Sequence, residues 1–243
     1  MREKRSQGLR NSSSNEKGEG KAAFLAASGI FQYLAEAEIS ELERVTTLIA
    51  CQPGRILYRP GETGNTLFLV YTGQVQLYHL SPDGRKLITA TLTEGAYFGE
   101  LPLIGQERHT SFAETTEEAR IYSIHKHELE QLLQQKPAVT LALLQTLAQR
   151  FAQMESQLID TTFKGTTARL ATLLLHLATP QPTDNTIQVV DGLSQEELAA
   201  RLGVYRETVS TSLRDLRDAG AIELGRKHIT ITNTSLLEDM AQS

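Results

Sequence analysis

The stretch Leu193–Leu216 reads LSQEELAARLGVYRETVSTSLRDL and sets Arg206, Glu207 and Thr208 side by side. A guanidinium offers paired donors that match guanine O6 and N7, and a carboxylate accepts from cytosine N4. Both side chains fall at the start of a predicted helix, the end that reaches base edges when such a helix lies in a DNA major groove. Tyr205, Ser210 and Thr211 are further polar candidates for the same surface, because hydroxyls can meet bases or phosphates. Farther along, Arg226-Lys227 forms a basic tip between two β-prone runs, Ala221–Leu224 and His228–Thr232. That is the pattern of a wing placed against phosphates.

The elements that must hold these residues are legible nearby. Ser194 and Glu197 have the spacing of a capping box, so a helix starts at Ser194. Gly203 ends it, and the next helix opens near Tyr205. Leu198 and Leu202 can then meet Val209, Leu213 and Leu216, with small Ala199 allowing a close crossing, which is helix-turn-helix spacing. Residues 165–243 are therefore expected to form a winged helix-turn-helix domain. Within it, Leu170, Leu173, Leu174 and Leu177 make one helical face, Pro180–Asn185 is expected as a loop and Ile187–Val190 as a short strand.

Upstream the chain changes character twice. Residues 1–21 carry six basic and three acidic groups with almost nothing apolar, and read as a disordered basic tail. Residues 22–136 read as an antiparallel β domain, a sandwich or barrel, entered by a helix from Ala22 to about Val45. After Cys51, turn signals recur at Pro53-Gly54, Pro60-Gly61, Gly64-Asn65, Gly73, Asp83-Gly84 and Gly95. The runs between them, Arg55–Tyr58, Thr66–Tyr71, Val75–Leu80 and Leu87–Leu92, are rich in β-formers, and Arg120–Ile124 supplies a closing strand. A helix over His127–Gln135 ends before Pro137. Residues 137–164 then form a long helix whose Leu144, Leu147, Phe151, Met154 and Leu158 alternate at spacings of three and four, a heptad seam suited to a second copy of the chain. Lys164-Gly165 is the expected hinge. The fold class is thus α+β: antiparallel β domain, dimerisation helix, winged helix-turn-helix.

In this order of parts, the sequence resembles the cyclic-AMP receptor protein/FNR (CRP/FNR) family of bacterial transcription regulators over about residues 24–232, and the resemblance implies that the antiparallel domain of residues 22–136 is a β-roll. The most specific matches are Phe98-Gly99-Glu100-Leu101 with Arg108, and Arg206-Glu207-Thr208-Val209. The resemblance implies a dimer that binds double-stranded DNA and works with RNA polymerase, with Arg206 and Glu207 reading a GTGA-like half-site. Thr211 stands where the family carries a third base-contacting arginine. It also implies an effector pocket at Gly99, Glu100, Leu101, Arg108, His109, Thr110 and Glu155. In cyclic-nucleotide-binding relatives the Gly-Glu pair and the arginine grip a ribose hydroxyl and the cyclic phosphate. His109 replaces the usual hydroxyl residue after that arginine, and Met154-Glu155 replaces a Thr-Ser pair that contacts adenine. The effector is accordingly expected to be a cyclic nucleotide or another small molecule, with ligand-independent regulation as the alternative.

Other chemistries are weighed by their residues. Cys51 is the sole cysteine, which excludes an intramolecular disulfide and a cysteine-ligated iron–sulfur cluster held by one chain. His79, His109, His125 and His127 are available to a haem, but none is marked as an axial ligand. His125 and His127 form a strand-like pair that raises a cupin-like metal enzyme, which would need further ligands on neighbouring strands. Their place at a strand-to-helix junction favours capping instead. No run approaches the roughly 18 apolar residues of a membrane span, and the composition suits a cytoplasmic protein. The 243-residue chain has 24 Lys+Arg against 29 Asp+Glu, a net charge of -5, and residues 165–243 hold seven Lys/Arg and ten Asp/Glu. The acidic balance argues against whole-molecule attraction to DNA, so binding would rely on a local basic face.

Overall fold

The structure, a computed structural model, describes residues 20–242 apart from 106, 182, 183 and 227. Two compact units are formed. One runs to Leu77 and resumes over Ala90–Gln149; the other joins Tyr78–Thr89 to the chain from Arg150 onward. The expectation of a disordered tail falls mostly on residues outside those described. Its last two positions are helical, and Lys21 Nζ donates to the carbonyls of Glu43 and Thr46.

The first part of the chain consists of α1 (20–27), α2 (Glu36–Val45), β1 (Thr47–Cys51), β2 (Ile56–Tyr58), β3 (Thr66–Thr72), β4 (Val75–Leu80), β5 (Lys86–Leu92), β6 (Tyr97–Phe98), α3 (Leu101–Ile104), β7 (Phe112–Thr115), β8 (Ala119–His125), α4 (Lys126–Gln135) and α5 (Pro137–Phe163). The strands make two sheets, ordered β1-β8-β3-β6 and β2-β7-β4-β5. Side chains of a strand alternate between its faces, and here the alternation feeds two cores. Leu67 and Leu69 of β3, with Tyr122 and Ile124 of β8, pack with Leu25, Phe31, Leu42, Leu129 and Leu143 from the helices. The intervening Phe68, Val70, Ala119 and Ile121 pack with Tyr58, Val75 and Phe98 inside the roll. Burial on both faces is why β3 reads as an unbroken apolar run.

Three expectations need correction. The entry helix is not continuous from Ala22 to Val45: it breaks after residue 27, where Ser28 donates back to the Phe24 carbonyl at 2.9 Å and Gly29 follows. Strand pairing begins at Thr47, four residues before Cys51, because β1 pairs with β8 from Thr47↔Ser123 to Cys51↔Ala119. Pro180–Asn185 is not a simple loop, since β9 (Thr179–Gln181) and β10 (Asp184–Asp191) enter it from both sides.

The C-terminal part continues with α6 (Thr166–Leu177), those two strands, α7 (Gln195–Leu202), α8 (Arg206–Asp218), β11 (Ile222–Gly225), β12 (His228–Ile231) and α9 (Thr234–Gln242). Its sheet order is β11-β12-β10-β9. One core joins Leu170 and Leu174 of α6, Leu198 and Leu202 of α7, Val209, Leu213 and Leu216 of α8, and Leu237 of α9.

Gly73, between β3 and β4, has φ +85°, and a Cβ there would lie 2.5 Å from the Glu118 carbonyl oxygen and 2.7 Å from Ala119 Cα. Backbone cannot yield as a flexible side chain does. Gly73→Ala is therefore expected to lower the unfolding free energy by about 1–3 kcal/mol, read as a shifted urea midpoint; an unchanged midpoint contradicts this packing.

Candidate nucleic-acid interface and effector pocket

The helix-turn-helix is built from its caps outward. Glu197 N donates to Ser194 Oγ at 3.2 Å, and Ser194 N donates to Glu197 Oε2 at 2.8 Å, closing the capping box at the start of α7. Gly203 caps the other end in the left-handed conformation, φ 67°. The chain then turns directly into α8, whose apolar residues Val209, Leu213 and Leu216 face the core. Ser212 is buried with them, and its hydroxyl accepts from Thr167 Oγ1 at 3.0 Å.

With that face fixed, helical periodicity turns Arg206, Glu207, Thr211 and Arg214 to the surface, with Ser210 half-buried. Arg206, Glu207, Ser210 and Thr211 line one polar depression of about 240 Å³, as the sequence grouping suggests. Two further residues line it: Gln195 from the first turn of α7, and Arg214, two turns beyond Glu207. Helical spacing could have found Arg214; Gln195 required the crossing of α7 and α8. Arg214 Nη2 donates to Ser210 Oγ at 3.4 Å, and Thr211 Oγ1 donates to the Glu207 carbonyl at 3.1 Å. Tyr205 stands at the N-cap of α8, exposed and making no side-chain cap. In the wing, β11 and β12 pair from Ile222↔Ile231 to Gly225↔His228, leaving exposed Arg226 in the turn. Lys227 lies outside the described residues.

The effector residues separate by environment. Gly99 has φ +85°, and a Cβ there would meet the Thr66 carbonyl oxygen at 2.8 Å, so the backbone approach requires glycine. Glu100 is buried, at 4% exposure. Arg108 is exposed, and its Nη1 donates to the Gly61 carbonyl at 2.6 Å. His109 is buried and stacks on Tyr58, with ring centroids 3.5 Å apart and planes 6° from parallel. Its main chain is pinned at both ends, His109 N to the Glu62 carbonyl at 2.9 Å and Gly61 N to the His109 carbonyl at 2.8 Å. Burial pushes the imidazole pKa down, against the opposing pull of Glu62. Thr110 and Glu155 are exposed. Leu101 lines an apolar cleft of about 320 Å³ with Leu133, Leu143, Leu144 and Leu147.

A cyclic nucleotide needs an acceptor for its ribose hydroxyl and donors for its phosphate. The Glu100 carboxylate and Arg108 guanidinium have that chemistry. His109, neutral and stacked, supplies neither a hydroxyl nor a charge. The metal reading finds no support in the geometry. His125 caps α4, with a long 3.5 Å contact from His127 N, and His127 Nε2 lies 3.0 Å from Gln131 Nε2. Among the described residues, no group of three or more His, Cys, Asp or Glu is placed to hold a metal ion.

A roll of this topology, a long helix and a winged helix-turn-helix together define a DNA-binding regulator with a sensor domain. Residues 48–136 match the cyclic nucleotide-binding domain family, and residues 168–240 match the Crp-like helix-turn-helix domain family. The chain is 30% identical over 220 residues to the CRP-like cAMP-activated global transcriptional regulator of Mycobacterium tuberculosis, covering 90% of this chain and 98% of that protein. It is 28% identical over 186 residues to the global nitrogen regulator of Synechococcus elongatus, covering 74% and 83%. It also resembles a solved CRP/FNR-family regulator of Thermus thermophilus at TM-score 0.66 and 26% identity, over 81% of this chain and 99% of that one. The chain belongs to the CRP/FNR family of transcription regulators. These relatives are regulators rather than enzymes.

Because burial lowers the His109 pKa, the folded state disfavours its protonation. Stability from this group is full above the ordinary histidine value near 6.5 and is lost as pH falls below it toward the depressed folded value. Urea unfolding between pH 7.5 and 5 should show that loss, and His109→Gln should flatten the profile. Equal slopes in the two proteins would contradict the buried neutral imidazole.

Proposed function

We propose that this chain works as a cytoplasmic homodimer that binds a palindromic promoter site and acts on RNA polymerase, as an activator gated by a small molecule at the roll. What carries the reading is the polar outer face of α8, with Arg206, Glu207, Ser210 and Thr211 presented together while the opposite face is locked in the core. Arg206 and Glu207 are the base readers of a GTGA-like half-site, and Thr211 alters the preference at one position. Tyr205, Ser210, Arg214, Gln195, Arg226 and Lys227 contact phosphates or flanking bases.

Dimerisation is supported by an apolar stripe exposed along α5. Phe151, Met154 and Leu158 are 70%, 66% and 68% exposed, and helical periodicity puts exposed Leu144 on the same face. A single chain rarely leaves so long an apolar stripe in water. Leu147 is half-buried, because the first turns of α5 also pack against the roll through Val139, Ala142 and Leu143. Two-fold symmetry sets the half-sites one helical turn apart, about 10–10.5 base pairs centre to centre.

Gly99, Glu100, Arg108 and Thr110 form the effector's polar contacts, with Leu101 and His109 bounding it. The effector is a cyclic nucleotide or another small anion, and it acts by shifting a population between two dimer arrangements through α5 and the hinge at Gly165. One observation favours ligand-independent regulation as the second reading: Arg108 is already bonded to Gly61, and the His109 ring is already stacked on Tyr58.

Calorimetry against a panel of cyclic nucleotides separates the two. Gated regulation predicts one that binds and changes DNA affinity; no binding across the panel and unchanged affinity favours the second reading. For Arg206→Ala, about 1–3 kcal/mol of discrimination should be lost at one guanine of each half-site. Equal weakening on every sequence would make Arg206 a phosphate contact instead.

A further inference from the structure

The β4–β5 hairpin tip carries a polar cluster that DNA recognition alone does not explain. Ser81-Pro82-Asp83-Gly84 turns the chain, with Gly84 N donating to the Ser81 carbonyl at 2.9 Å and Arg85 N to Ser81 Oγ at 3.0 Å. The Asp83 carboxylate is held on both sides, Oδ1 by the Ser81 hydroxyl and Oδ2 by Arg85 Nε at 2.9 Å. The same Oδ2 accepts from the Tyr205 phenol at 2.6 Å. Arg85 also lies over the Tyr205 ring, 5.0 Å from its centroid. Leu87 packs on the helix-turn-helix turn, so close that a Cβ on Gly203 would sit 3.0 Å from Leu87 Cδ1.

Tyr205 occupies the N-cap of α8, yet a phenol cannot fold back to cap it as Ser, Thr, Asp or Asn do. Its hydroxyl is therefore unneeded by the helix itself. The N-terminus of a helix carries partial positive charge and attracts anions, phosphates and carboxylates alike. Asp83 presents a carboxylate at that end, to a donor positioned for the DNA backbone. The exchange shows in the acid–base behaviour of both groups: hydrogen bonds from Ser81, Tyr205 and Arg85 hold the Asp83 carboxyl well below the usual carboxylate range, and Asp83 pushes the Tyr205 phenol up.

We propose that the hairpin tip is an autoinhibitory latch in which Asp83 stands in for a DNA phosphate and takes the hydrogen bond of Tyr205. The latch rests on the reading of Tyr205 as a DNA contact. A phosphate and Asp83 cannot both occupy that place, and their charges repel, so the tip must release before α8 docks. Because β4 and β5 are strands of the sheet β2-β7-β4-β5, the tip is covalently continuous with the domain expected to sense the effector.

The test measures the affinity of full-length wild type, Asp83→Asn, Tyr205→Phe and the double variant. The probe is a duplex carrying two inverted GTGA half-sites one helical turn apart. The latch predicts that Asp83→Asn tightens binding by about 2- to 5-fold per recognition helix, as for an exposed polar pair, and has no such effect in the Tyr205→Phe background. Near-ultraviolet titration should also show the Tyr205 phenol ionising at lower pH in Asp83→Asn, which reads the contact without DNA. Unchanged or weakened binding by Asp83→Asn overturns the latch, as does equal tightening in the Tyr205→Phe background. Failure of the underlying reading has its own signature: the double variant binding as tightly as Asp83→Asn means that the phenol has no role on DNA, and the competition falls with it. Leu87→Ala, which loosens the same contact without touching a charge, should tighten binding in the same direction; weakening would again overturn the latch.

Discussion

The rotation of α8 about its own axis is the constraint on which the rest depends. Val209, Leu213 and Leu216 are each nearly or fully buried, and they share one core with Leu170, Leu174, Leu198 and Leu202. A helix locked on that face has no freedom in what it shows to solvent. Arg206, Glu207, Thr211 and Arg214 follow from the helical period. The left-handed Gly203 sets where the helix begins, and the Ser194–Glu197 box sets where its partner begins. Base readout needs side chains held to within a fraction of an ångström, and a packed core supplies that more firmly than a loop.

The net charge becomes intelligible on this view. A net acidic DNA-binding domain cannot rely on long-range attraction, so a few cations on one face and in one wing must suffice. An acidic group near the recognition helix then has disproportionate effect. Asp83, held by three donors, is such a group. The roll shows a related economy. Gly99, Glu100 and Arg108 retain the chemistry for a ribose and a phosphate, while His109 has become part of the roll's packing beneath Tyr58.

Much of this was legible in the sequence because it is local. The capping box, the Gly203 stop, the wing turn and the heptad stripe of α5 are patterns of near neighbours, and each formed. What escaped was set by distant pairing or crossing. β1 became a strand because β8 lies beside it, and the entry helix broke because Ser28 and Gly29 end a turn that apolar spacing alone would have continued. Gln195 joined the polar depression because α7 crosses α8. Asp83 and Tyr205 are 122 residues apart, and neither residue's neighbours hint at the other. The fate of His109 was also invisible, since only the fold brings Tyr58 over its ring.

Entry of the N-terminal face of α8 into the major groove at two symmetry-related places can be read by methylation interference on guanine N7, which lies in that groove, on a duplex bound by the full-length chain. Interference is expected at two symmetric clusters of guanines about 10–10.5 base pairs apart, because Arg206 requires N7 and O6 free. Interference confined to adenine N3 in the minor groove, or to one unrepeated cluster, would contradict it.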